Sequence, residues 1–155
     1  MEPIDELLPG AWLARLTHSS DKRGRFVKTF SRSALLKLGL HCDFPEAFYS
    51  TSAANVVRGM HFQRPPHAHV KLVHCAAGSV LDVLLDLRAG PGFGRVAQVH
   101  LHASTPTLVV VPAGVAHGFR ALADNSLVVY QTSTEHAPTH DDGIRWDSFG
   151  FDWGV

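Results

Sequence analysis

Cysteine is nearly absent. Cys42 and Cys75 are the only two in 155 residues, and they are not closely spaced. That excludes a disulfide frame or a zinc knuckle and points to reduced, partly buried thiols. Nor does any apolar run approach the roughly 20 residues of a membrane-spanning helix, and the start, MEPIDELLPGAWLARL, carries acids where a leader would carry bases. A cytoplasmic protein without a membrane partner is expected. Excess charge of either sign is missing too, since 14 Lys and Arg balance 14 Asp and Glu. Without a global field, nucleic acid is not the expected partner, and an anionic ligand has to be held by local charges. Linkers, repeats and low-complexity tracts are also lacking, and a chain of this length can bury roughly two thirds of its unfolded surface in one core. A single domain over residues 1–155 is expected.

Histidine is in excess, with eleven residues. The remainder of the chain is mostly brief apolar or alternating runs broken by Gly and Pro: NVVRGMHFQ, HVKLVHC, SVLDVLLDLR, VAQVHLH, TLVVVP and SLVVYQTS. Such spacing predicts an all-β sandwich or small barrel. One short helix is expected in SRSALLKLGL, capped by Ser31 or Ser33 and stopped at Gly39. In VLDVLLDLR, Leu81, Val83, Leu85 and Leu87 share one face, and Asp82, Asp86 and Arg88 share the other with Val80 and Leu84. The second face carries too much charge for ordinary core, so it is expected to meet water or line a polar cavity.

Two kinds of chemistry compete for VRGMHFQRPPHAHVKLV, residues 57–73. His67 and His69 point to one face of a strand, and His117 follows a Pro-x-Gly turn, a spacing known from metal-binding cupins. Those proteins add a carboxylate where Val73 and His74 stand here, and Lys71 on the same face disfavours a cation. The other chemistry is anion binding with proton transfer. Arg58, Arg64 and Lys71 flank His61 and offer charge-assisted donors, while a free imidazole titrates near pH 6.5, suited to a general base. Arg58 and His61 are three apart and would face opposite ways on a regular strand, so an irregularity is predicted at Gly59. Tyr130, flanked by Val128 and Val129 on a run expected to be buried, needs a polar partner or a function for its hydroxyl.

Taken together, DKRGRF, VVRGMHFQ, KLVHCAAGSVLDVLLDLR, GPGFGR, VPAGVAHGF, LVVYQTS and the tail GIRWDSFGFDW resemble the dTDP-4-keto-6-deoxyhexose 3,5-epimerases, in order and spacing over nearly the whole chain. The resemblance implies a cupin-like jelly roll, a homodimer with exchanged amino-terminal strands, a nucleotide-diphosphate sugar as ligand, and neither cofactor nor metal. It further implies that His61 is the base, Tyr130 the acid and Lys71 the stabiliser of the enolate oxygen. Arg58, Gln63, His117, Arg23, Phe26, Lys28, His67, His69 and Glu135 become substrate-binding candidates. The chemistry is consistent with this: carbons 3 and 5 both flank the ketone at carbon 4, so either proton can leave to an enolate, and inversion requires its return on the opposite face.

Some positions depart from the family. The family's carboxy-terminal aspartate, partner of the catalytic histidine, has no counterpart in a sequence that stops at Val155, and Asp82 is the expected substitute. Lys28 stands where the family has a glutamate, Glu46 and Phe48 where it has a Gln-x-Asn pair that contacts thymine, and Glu135 and His136 where it often has tyrosines. These changes point to another base, looser base recognition, a different sugar or reaction at one carbon only. Two alternatives remain: a metal-dependent cupin enzyme using His67, His69, His74 and His117, and a relative that binds nucleotide sugar without turning it over.

Overall fold

The computed structural model describes residues 1–155. Two antiparallel sheets face each other. The larger is ordered β1 (Glu2–Leu8), β2 (Ala11–Arg15), β10 (Thr107–Val111), β7 (Lys71–Ala77), β12 (Ser126–Thr132), β5 (Glu46–Ser52). The smaller is ordered β13 (Asp141–Gly143), β6 (Val57–Gln63), β11 (Val115–Ala121), β8 (Ser79–Asp86), β9 (Val96–His102). β1 pairs with β2 of its own chain. A separate ribbon, β3 (Thr17–Asp21) with β4 (Gly24–Lys28), projects from the sandwich with almost every residue exposed. The expected all-β jelly roll is present, and so is the one helix, α1 (Arg32–Lys37). Ser31 caps it by accepting the Ala34 N–H, and Gly39, at φ +68°, leads the chain away.

Val73, Cys75, Val128 and Tyr130 of the larger sheet meet Val80, Leu84, Leu101 and Phe119 of the smaller one in the main core. Two more clusters cover the outer faces. Leu35 of α1 packs with Leu16, Leu72, Leu108 and Val110, and the carboxy-terminal Trp153 closes over Met60, Leu81, Val83, Leu85 and Ala116, helped by Phe149 and Phe151. The tail is fastened by Arg120 Nη1, which donates to the Trp153 carbonyl at 2.7 Å. Both faces of β8 are therefore buried. Its charged face lies inside the sandwich, because each carboxylate has a partner: Asp86 holds Arg88 at 2.7 Å, and Asp82 holds His117. Paired, they can be desolvated at a cost the core tolerates.

The predicted irregularity at Gly59 is found. Phe119 lies opposite Arg58 and His117 opposite His61, so three steps along β6 span two along β11. This bulge turns Arg58 and His61 to the same side. It needs two glycines, since a Cβ on Gly59, at φ +129°, would come within 2.6 Å of Gly118 Cα.

Candidate active site

A cavity of about 280 Å³ opens between the sheets at the β6 and β12 side. His61 enters from the smaller sheet, and Tyr130 and Lys71 enter from the larger one. Arg58, Gln63, His69 and His117 also reach it. Seven of the catalytic and substrate-binding candidates named from the sequence thus line one cavity, although they span 73 positions of the chain.

The polar wiring gives each group a distinct environment. Lys71 Nζ donates to the His61 carbonyl at 3.0 Å, coupling the proposed base and oxyanion stabiliser across the sheets. Burial brings the Lys71 ammonium down to about 8, against the pull of Asp141 and Asp82. His61 is lowered by burial and by the charges of Lys71, His117 and Arg58, with Asp141 opposing them, so the ring is kept in its proton-accepting form at neutral pH. His69 is pushed to about 4 by burial and Lys71. The Tyr130 phenol is raised by burial, which keeps it protonated; its hydroxyl lies 3.5 Å from Ser50 Oγ, and its ring stacks on Phe48 at a centroid distance of 4.8 Å. Arg58 is aimed by two bonds, from Nε to Ser52 Oγ at 2.9 Å and from Nη2 to the Thr51 carbonyl at 3.1 Å.

Several expectations need correction. Asp82 is not the partner of His61: its Oδ2 lies 2.7 Å from His117 Nε2, with both side chains at most 3% exposed. Asp82 stands opposite Phe119 on β11, whose pocket-facing neighbour is His117, so pairing register rather than strand face chose its partner. Gln63 lines the cavity, but its amide nitrogen donates to the His67 carbonyl and its oxygen accepts from Ala137 N–H at 2.8 Å, so it chiefly ties down the loops around the site. His67 turns away to pack on His140, ring centroids 4.4 Å apart. The Glu135 side chain is exposed, and the following His136 is the one that reaches the cavity. Arg23, Phe26 and Lys28 lie on the projecting ribbon, outside the cavity of their own chain, with Phe26 63% exposed.

The four histidines of the metal alternative do not converge. His67 meets His140, His117 is held by Asp82, and His74 lies on the opposite face of β7 from Lys71. No group of three or more His, Cys, Asp or Glu side chains is arranged to hold an ion. Conversely, Thr132 and Asp141 line the cavity and were not singled out from sequence. Thr132 Oγ1 is buried without a hydrogen-bond partner. Its only sequence signal was two-residue spacing from Tyr130, while Asp141 sits in a polar stretch with no strand pattern.

Comparison with known proteins bears on this arrangement. The family profile described as dTDP-4-dehydrorhamnose 3,5-epimerase matches residues 5–155. The Escherichia coli (strain K12) dTDP-4-dehydrorhamnose 3,5-epimerase is 39% identical over 137 residues, 86% of this chain and 74% of the relative. Among solved structures, the Bacillus anthracis enzyme of that name, with TDP and PPi bound, superposes with a TM-score of 0.95 at 32% identity, covering 99% of this chain and 90% of that one. A Legionella pneumophila dTDP-6-deoxy-D-glucose-3,5-epimerase in complex with dTDP-4-keto-L-rhamnose gives a TM-score of 0.93 at 27% identity, covering 99% and 84%. With the motifs, the jelly roll and the cavity all in agreement, the chain belongs to the dTDP-4-dehydrorhamnose 3,5-epimerase family.

Proposed function

We propose that this epimerase inverts carbon 3, carbon 5 or both in a nucleotide-linked 4-keto-6-deoxyhexose, with His61 as base, Tyr130 as acid and Lys71 at the enolate oxygen. The single observation that carries the assignment is the placement of His61 and Tyr130 on opposite sheets facing one cavity, with Lys71 beside Tyr130. A 4-keto sugar held between them would give the proton of carbon 3 or 5 to His61 on one side, and the planar enolate so formed would take a proton at that carbon from Tyr130 on the other. His61 is the group able to accept a proton at neutral pH, and the buried Tyr130 phenol keeps the proton it must deliver. Lys71, charged below about 8, would meet the negative charge that develops on the ketone oxygen. Arg58 would take the diphosphate, its guanidinium already aimed by Ser52 and Thr51. No step in this sequence calls for a cofactor.

A homodimer suits the projecting ribbon. Arg23 and Phe26 are too exposed to act on their own cavity, and a second copy would give them a cavity to complete. Glu46 and Phe48 at the mouth leave the base unspecified and favour a broader choice than thymine. No helix of the chain is long and apolar enough to cross a membrane, in keeping with a cytoplasmic role in deoxysugar synthesis. The deciding experiment is incubation in deuterated water with 4-keto-6-deoxyhexoses linked to thymidine, cytidine or guanosine diphosphate, followed by NMR of the sugar protons. Deuterium at carbon 3 or 5, lost in His61→Asn, is the expected result; binding without exchange for every sugar would reduce the protein to a sugar-binding relative.

A further inference from the structure

The acid that faces His61 comes from a short edge strand. β13 runs antiparallel to β6, with Gly143 opposite His61 and Asp141 opposite Gln63. Directly opposed residues project to the same face, and diagonal neighbours about 7–8 Å apart are within reach of ring side chains. Asp141 therefore shares the cavity face with His61. The position directly opposite His61 is Gly143, which puts no side chain against the ring: an added Cβ there would touch His61 Cδ2 at 3.9 Å and press on the Met60 carbonyl at 3.1 Å. The other acids around the cavity are committed elsewhere. Asp82 is held by His117, Glu46 Oε2 accepts the His136 N–H at 2.7 Å, and Asp142 pairs with Arg64 at 3.3 Å. The Asp141 carboxylate has no such bond, and it lines the cavity.

We infer that Asp141 is the positioning residue of the catalytic histidine, orienting the His61 ring from β13 and stabilising the imidazolium that forms when a sugar proton is taken. The inference rests on the epimerase reading for its chemistry. The other titratable groups around His61 are Lys71 on β7, His117 on β11 with Asp82 behind it on β8, Arg58 on its own strand, Tyr130 on β12, Glu46 on β5, and His69 and His136 on the adjoining loops. Among those that act on His61, Asp141 alone opposes the lowering exerted by burial and by the cations. Removing its charge would leave a weaker base, held less firmly.

The test compares Asp141→Asn and Asp141→Glu with Asp147→Asn, which removes the same charge from an exposed pair with Arg145 outside the cavity. Asp141→Asn is expected to lower kcat for deuterium exchange by about tenfold or more with KM changed less than about threefold, and to move the acid limb of kcat/KM to lower pH. Asp141→Glu should recover part of kcat, and Asp147→Asn should behave as the parent. Independently of any substrate, the NMR titration midpoint of the His61 ring should fall in Asp141→Asn and not in Asp147→Asn. An unmoved midpoint, or a parental kcat and acid limb in Asp141→Asn, overturns the assignment. If the parent turns over none of the sugars, the epimerase reading fails and the His61 midpoint alone decides the role of Asp141.

Discussion

Asp82 Oδ2 and His117 Nε2 lie 2.7 Å apart in the interior of the sandwich, the aspartate fully buried and the histidine nearly so. The bond holds His117 in the cavity lining, where its ring packs nearly perpendicular to Tyr130 at a centroid distance of 6.0 Å. His117→Ala would strand a buried carboxylate and is expected to cost about 3–5 kcal/mol. Urea unfolding of the two single variants and the double variant with Asp82→Ala measures this. The double variant should be less destabilised than the sum of the singles, since it leaves no unpaired charge.

Gly59→Ala tests the bulge. The new methyl would collide with Gly118 Cα, 2.6 Å away, at a φ of +129° that L side chains rarely adopt. A stability loss of about 1–3 kcal/mol is expected from strain. If the strand relieves that strain by straightening, Arg58 and His61 separate, and kcat falls more than unfolding explains. Exchange kinetics at a temperature where the variant is fully folded distinguish the two effects.

The pH dependence of kcat/KM should be a bell. With His61 as the proposed base, which must be unprotonated to act, the acid limb should lie below the ordinary imidazole value of 6.5. With Lys71 as the proposed oxyanion stabiliser, which must stay charged, the basic limb should lie near 8. Lys71→Met should remove the basic limb together with most of kcat, whereas Lys71→Arg should move it out of the measurable range.

Stability has its own pH window. His69 titrates near 4 in the folded chain and near 6.5 when unfolded, so the unfolded chain takes up the proton first as pH falls. The stability that His69 contributes is complete above 6.5 and is lost progressively as pH drops to about 4. His69→Gln should flatten the denaturation midpoint across that range, as read by urea unfolding at several pH values.

Tyr130→Phe separates abstraction from delivery. With His61 intact the proton still leaves and returns on one side, so deuterium should enter while inversion falls by about a hundredfold. Loss of exchange and inversion in equal measure would mean that Tyr130 is needed for abstraction too, and would assign the roles differently.

Strands, the single helix and the Gly59 bulge were legible in the sequence because each depends on neighbours a few residues away: alternation on a pleat, a serine cap, a glycine between Arg58 and His61. The family motifs carried further, since their order marked His61, Lys71 and Tyr130 before any contact was known. Partner choice was a matter for the tertiary structure. Asp82 could be read as inward-facing, yet whether it met His61 or His117 depended on the register of β8 against β11. The outer face of β8 was covered by Trp153, some 70 residues on, and Asp141 reached the cavity only because a three-residue strand pairs with β6. Side-chain direction is a local property with a period of two. Which side chain lies opposite depends on strand register, which is set by burial and pairing over the whole sheet.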